Sequence, residues 1–204
     1  NELVSLVSNK QLCLRPEMTT SIVKLISTRL INKKRPLRLF NNGTIFEKKG
    51  GYKNVELFKE RIQSGIELIG YENEYPEIEV FNILFDVIDK LKLKNNIKLK
   101  FLVSSTTIMD IILEKYINNN YENIKKFLTN LDQDNLNKLE INKNDKRTLK
   151  NLIYTRGEPI KVINYLIDIF GKSHVLDNLI FLFKTISPMA KRYGIDIQLD
   201  PTFQ

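Results

Sequence analysis

The sequence contains no tryptophan, one cysteine and one histidine in 204 residues. A lone cysteine, Cys13, excludes an internal disulfide and a zinc site built from several cysteines. Cys13 lies in an apolar run and reads as a small buried residue. A lone histidine, His174, leaves no other imidazole on which a Ser/His/Asp or Cys/His arrangement could be built. It follows Gly171-Lys172-Ser173, where Ser173 reads as a helix N-cap, so His174 is expected in a capping region. Glycine is sparse, at 8 residues, and the one adjacent pair, Gly50-Gly51, has no helix after it. A glycine-rich phosphate loop is therefore excluded. No apolar run reaches the length of a membrane span. The start, Asn1-Glu2-Leu3, lacks the basic lead and cleavage pattern of a signal peptide, so a cytoplasmic protein is expected. Asp132, Asp134 and Asp145 lack the spacing of a calcium loop and read as helix caps and solvated turns; no metal site is expected.

What the chain does have is charge. The formal net charge is +8. The lysines are scattered among asparagines and isoleucines along the whole sequence, which is the pattern of a solvated basic surface. A polyanion site for RNA, a nucleotide or an acidic partner is the alternative. Tyrosine and phenylalanine fall at helical spacing and read as core, not as a stacking platform for single strands. Nucleic acid is not expected as a partner.

The periodicities predict an α+β order. Leu3 to Leu14 reads as short extended pieces, and Pro16 suits a helix first turn. Ile22, Leu25, Ile26 and Leu30 predict a helix from Met18 to about Asn32, ended by Lys33-Lys34-Arg35 before Pro36. Leu37–Phe40 and Thr44–Phe46 read as strand, with Asn41-Asn42-Gly43 as a bend or bulge. Lys48 to Asn54 reads as a hairpin-like loop, and Arg61 to Tyr71 as a second strand. A helix from Glu77 to about Leu93 is expected to bury Val80, Ile83, Leu84, Val87, Ile88 and Leu91. After a strand at Ile97–Val103, helical spacing persists from Thr106 to Tyr193, and Ile195–Leu199 closes as strand.

Two stretches place polar groups inside apolar segments. They are Leu14-Arg15-Pro16-Glu17-Met18-Thr19 and Gln63-Ser64-Gly65-Ile66-Glu67-Leu68-Ile69-Gly70. On a strand, Gln63 and Glu67 share one face. Together with Glu17 and Thr19 they could converge on a small cation, because buried carboxylates call for a positive guest. On the residues alone, the plainer reading stays open: Glu17 in a helix first turn, and Glu67 paired with a local lysine.

These stretches, with Arg38-Leu39-Phe40-Asn41-Asn42-Gly43-Thr44-Ile45-Phe46 between them, resemble histidyl-tRNA synthetase and its catalytically inactive paralogue, the regulatory subunit of ATP phosphoribosyltransferase. Order and spacing match, with a somewhat long loop at Glu47–Ile62. The resemblance implies a class II aminoacyl-tRNA synthetase-like domain over 1–204. It would have an antiparallel sheet flanked by helices, and an inserted helical region at about 106–171. Against that family both ends are expected to be incomplete: a dimer-forming first motif before Asn1, and a histidine-recognising segment and third motif after Phe203. The resemblance also implies that Glu17, Thr19 and Gln63 hold the ammonium of free histidine, and that Glu67 faces the imidazole.

One departure bears on chemistry. Where the synthetases place an arginine that grips the ATP phosphate, Phe46 is followed here by Glu47. At about 4 Å and an effective dielectric near 20, attraction or repulsion of unit charges is worth about 4 kcal/mol. Lys48 points to the opposite strand face, although Lys48, Lys49 or Lys53 could supply a cation if the register shifts. Arg61 also departs from the family's aromatic or apolar residue. The expectation is a lost ATP contact, no catalytic residues and no cofactor. The implied protein is a non-catalytic regulatory subunit, a homodimer in a hetero-oligomer with the phosphoribosyltransferase catalytic subunit, with free histidine as ligand. The alternative is a divergent histidyl-tRNA synthetase.

Overall fold

A computed structural model describes residues 5–6, 12–49, 57–72, 75–91, 98–116 and 121–203. The chain divides into two compact units, Asn1–Pro76 and Glu77–Gln204.

The first unit is built on a long hairpin. Strand β1 (Ser5–Leu6) pairs with β2 (Leu12–Cys13), and helix α1 (Thr19–Thr28) follows. Then β3 (Leu37–Lys49) and β4 (Leu57–Ile69) pair antiparallel without interruption, from Leu37↔Ile69 to Lys49↔Leu57. The bend expected at Asn41-Asn42-Gly43 is absent, because the ladder passes straight through Asn41↔Gly65, Asn42↔Ser64 and Gly43↔Gln63. These glycines serve close approach, not turning. A Cβ on Gly43 would stand 3.1 Å from Arg15 Nη2 and 3.2 Å from Met18 Cε. The expected long loop at 47–62 shrinks accordingly, since Glu47–Lys49 and Leu57–Ile62 are strand. Gly50-Gly51 and Lys53 lie outside the described residues.

Helix α1 buries Ile22 and Ile26, one turn apart. It stops at Thr28, short of the expected Asn32, and Arg35 reaches back to donate to the Leu30 and Lys33 carbonyls at 3.2 and 3.3 Å. Cys13 is exposed, against expectation, because β2 is a two-residue strand with both side chains outward. Gly70 closes β4 with φ +79°, and a Cβ there would lie 2.9 Å from Arg35 Cβ, Cγ and Cδ. Gly70→Ala should therefore cost about 1–2 kcal/mol in backbone conformation before the clash is counted. A urea unfolding midpoint equal to wild type would contradict this.

The second unit holds the main core. Helix α2 (Tyr75–Lys90) and strand β5 (Leu99–Val103) precede six further helices. These are α3 (Thr106–Glu114), α4 (Tyr121–Thr129), α5 (Gln133–Lys138), α6 (Lys143–Tyr154), α7 (Pro159–Phe170) and α8 (His174–Arg192). Five of them, α3–α7, run in succession from Thr106 to Phe170. Strand β6 (Ile195–Leu199) then joins β5 in parallel, Leu99↔Ile195 to Val103↔Leu199. Parallel partners need a crossover, which the helices supply. Caps follow the sequence. The side chains of Asp132, Asn142, Glu158 and Ser173 accept backbone N–H groups at the starts of α5, α6, α7 and α8. No helix among the described residues is long and apolar enough to cross a membrane.

The buried stripe of α2 differs from the expected one. Phe85 and Ile88 are buried, and Ile78 and Phe81 pack beside them. Val80, Leu84 and Val87, and Leu91 just beyond the helix, are exposed at 38–62%. The helix carries two apolar stripes, and the aromatic one takes the core. The Phe85 ring lies 6.0 Å from Phe81, 6.0 Å from Phe101 and 5.8 Å from Tyr193. The Tyr193 hydroxyl also donates to Asp86 at 2.8 Å, which fixes α2 against the end of α8.

Candidate functional site

The predicted polar residues gather on the hairpin of the first unit. The segment before α1 is strapped to β3 by backbone and side chain together. Phe46 N–H donates to the Arg15 carbonyl at 2.9 Å, and Arg15 Nε and Nη2 donate to the Thr44 carbonyl at 3.0 and 2.7 Å. Arg15 thus spends its fork on positioning.

The N-cap of α1 is Met18, whose side chain cannot cap. Glu17 does so instead: Thr20 N–H donates to its two carboxylate oxygens at 2.9 and 3.1 Å. Hydrogen bonds from the Thr20 side chain and then its backbone N–H hold the Glu17 carboxyl below the usual carboxylate range, so it is an anion at neutral pH. Thr19 is the first residue of α1 and is exposed. Gln63 reaches across from β4, and its Oε1 accepts Met18 N–H at 2.9 Å. The helix start and the strand are therefore locked together at Gln63, with Glu17 and Thr19 on either side of the bonded residue.

The unbroken register fixes which side chains share a face. Gln63, Gly65 and Glu67 face the same way as their partners Gly43, Asn41 and Leu39. The Cβ direction of Gly43 points at Arg15 and Met18, so this is the face that the pre-helix segment covers. Three of the four predicted residues, Glu17, Thr19 and Gln63, are thereby brought together. Glu67 stands on the same half-buried face, about 13 Å further along the strand.

Between Gln63 and Glu67 lies a residue that sequence reasoning missed. Asn41 is paired with Gly65, is buried, and lays its amide over the glycine. The Asn-Asn-Gly triplet reads as a turn, which concealed it. Its even spacing from Gly43 places it on this face once the strand is known to be continuous.

Glu47 and Arg61 also lie on this face, toward the Lys49↔Leu57 end of the hairpin, where β3 leads into β4. Arg61 Nε sits 3.1 Å from Glu47 Oε2, a diagonal cross-strand pair, since Glu47 lies directly opposite Lys59. The departures at 47 and 61 are thus one feature. The anion at 47 carries its own counter-ion in Arg61, with Lys59 opposite it on the same face.

Comparison with known proteins shows the family. The family model for histidyl-tRNA synthetase matches residues 1–204. A protein of Prochlorococcus marinus subsp. pastoris is 58% identical over 204 residues, all of this chain and 53% of that protein. One from Synechococcus sp. strain CC9902 is 34% identical over 203 residues, all of this chain and 52% of that protein. Both are described as ATP phosphoribosyltransferase regulatory subunits. The chain spans about half the length of the curated relatives it matches. A solved structure from Bacillus halodurans, described as an ATP phosphoribosyltransferase regulatory subunit/histidyl-tRNA synthetase, shares the fold with a TM-score of 0.79 at 21% identity. It is matched by all of this chain, which covers 54% of its length. The hairpin with its strapped pre-helix segment and the match from first residue to last lead to one assignment: the chain belongs to the histidyl-tRNA synthetase family.

Proposed function

We propose that the chain forms part of a non-catalytic regulatory subunit of ATP phosphoribosyltransferase, acting in the cytoplasm in the first step of histidine biosynthesis. In this reading residues 1–204 belong to one class II synthetase-type domain, with the helices at about 106–171 as its insertion. Glu17, Thr19, Gln63 and Glu67 bind free histidine, and no residue is catalytic. The subunit works as a homodimer in a hetero-oligomer with the catalytic subunit, whose activity requires it, and relays histidine feedback. Such a relay needs histidine to bind one conformation of the assembly better than another.

The observation that carries the reading is the Glu47–Arg61 pair on the face of Gln63 and Glu67. Adenylate formation depends on an electrostatic grip on the phosphates. Here the guanidinium nearest that end is neutralised by Glu47, while the anchored amino-acid cradle keeps both acids. The names of the relatives support the same conclusion.

Glu67→Gln removes a charge-assisted hydrogen bond. It should weaken histidine binding by about tenfold or more in calorimetry; wild-type affinity in that variant removes Glu67 from the pocket. Co-purification with the short catalytic chain tests the partner.

A divergent histidyl-tRNA synthetase is the second reading, favoured by the match of the histidyl-tRNA synthetase family model to residues 1–204. Histidine-dependent pyrophosphate exchange with ATP decides between them, and a positive result refutes the regulatory reading.

A further inference from the structure

Asn41 makes a demand that the fold leaves unmet. Its side chain is buried, with 8% of the residue exposed, and its Oδ1 has no hydrogen-bond partner among the described residues. A buried carbonyl oxygen without a donor is a net cost, and native proteins rarely keep one without a reason. The room for this amide exists because residue 65 has no side chain. A Cβ on Gly65 would stand 3.0 Å from Asn41 Nδ2 and 3.3 Å from Oδ1. The amide therefore lies across Gly65, between Gln63 and Glu67, each about 7 Å away along the strand. Gln63 Oε1 is already engaged by Met18 N–H. Oδ1 is enclosed as it stands, so a guest lying along this face from Gln63 toward Glu67 reaches it through an outward turn of the Asn41 side chain.

We infer that Asn41 is a further ligand contact of the amino-acid pocket, its Oδ1 accepting an N–H from a cationic amino acid seated between Gln63 and Glu67. The inference rests on reading this face as the histidine pocket. Chemistry sets the direction of the guest. An acceptor takes an ammonium or imidazole N–H and repels a carboxylate, so the ligand carboxylate points away from Asn41. Glu67 at one end and Glu17 near the other favour the same polarity. Asn41 thereby selects for a guest with a donor in the middle of its length, since a site built around a hydrogen bond rejects analogues that lack it.

The test is calorimetric titration of histidine into the full chain and into Asn41→Leu and Asn41→Asp, with thermal unfolding of each without ligand. Asn41→Leu replaces the unpaired amide by an apolar group of similar shape. It should bind histidine about 10- to 100-fold more weakly while unfolding at the same or a higher temperature. Asn41→Asp keeps the acceptor and should bind at least as tightly as wild type. If Asn41→Leu fails to fold, Asn41→Asp decides alone, and lost binding there overturns the inference. Wild-type affinity in Asn41→Leu overturns the role of Asn41 and leaves the pocket reading standing. Weaker binding with a lowered unfolding temperature makes Asn41 structural and also overturns it. Absence of histidine binding by the wild-type chain overturns the pocket reading and this inference with it.

Discussion

Phe85→Ala should destabilise the second unit by about 3–5 kcal/mol, the range for truncating a fully buried phenylalanine. Phe85 has 0% exposure and its ring lies within 6.0 Å of three others, from α2 itself, β5 and the turn after α8. The loss therefore combines the transfer free energy of the ring with a cavity on which three elements border. Those elements are pinned elsewhere: Tyr193 is tied to Asp86, and β5 is held in register by β6. The site cannot easily collapse, which places the cost toward the upper end. The thermal midpoint should fall by roughly 12–20 °C. Phe85→Leu, which keeps most of the volume, should lose about 1–2 kcal/mol. Equal effects of the two substitutions would show that the ring is not what holds α2 in place.

Asp200→Ala is expected to cost about 2–4 kcal/mol, for a different reason. Asp200 is 2% exposed, and its carboxylate accepts four hydrogen bonds and makes one further ion-pair contact. Oδ2 takes Arg156 Nε at 3.0 Å and Nη2 at 2.9 Å. Oδ1 takes Thr202 N–H at 2.9 Å, Thr202 Oγ1 at 2.8 Å and Phe203 N–H at 3.2 Å. The Arg156 side chain is 47% exposed and can turn to water when its partner goes. Thr202 is 1% exposed and cannot. Most of the cost therefore resides in the stranded Thr202 donors, not in the ion pair. Arg156→Ala should accordingly cost less, about 1 kcal/mol. A double-mutant cycle measures this by urea unfolding. If Arg156→Ala proves as damaging as Asp200→Ala, the ion pair itself is the larger contribution.

Much of the fold is legible in the sequence because its signals are local. Apolar spacing marks α3 to α8, and Ser173 and Asp132 announce helix starts that the backbone N–H groups then use. Residues whose role depends on a distant neighbour are not legible in this way. On α2, Val80, Leu84 and Val87 are as apolar as the residues that are buried, and only the rings of Phe101 and Tyr193 decide which stripe turns inward. Asn41-Asn42-Gly43 carries a turn signature that the pairing with β4 overrides.

The candidate site divides along the same line. Glu17, Thr19, Gln63 and Glu67 can be picked out by residue type and spacing, through a family resemblance. That Glu17 caps α1, that Gln63 is bonded to Met18, and that Arg61 neutralises Glu47 all require the register. The charge at position 47 read alone suggests bare repulsion of a phosphate. Seen with its partner it is one half of an ion pair with Arg61, not a free anion.

The pairing of β5 with β6 also orders events in time. Leu99 meets its ladder partner only in Ile195, roughly a hundred residues later. At about 5–20 residues per second on the ribosome, several seconds separate the emergence of the two strands. Helices form in microseconds or less, so the intervening segments acquire structure long before β5 can be completed. Until then its Phe101 and Val103 have no strand beside them from β6, and an open edge of that kind invites pairing between nascent chains. Emergence of β6, not growth of the helical block, is the step that ends this exposure.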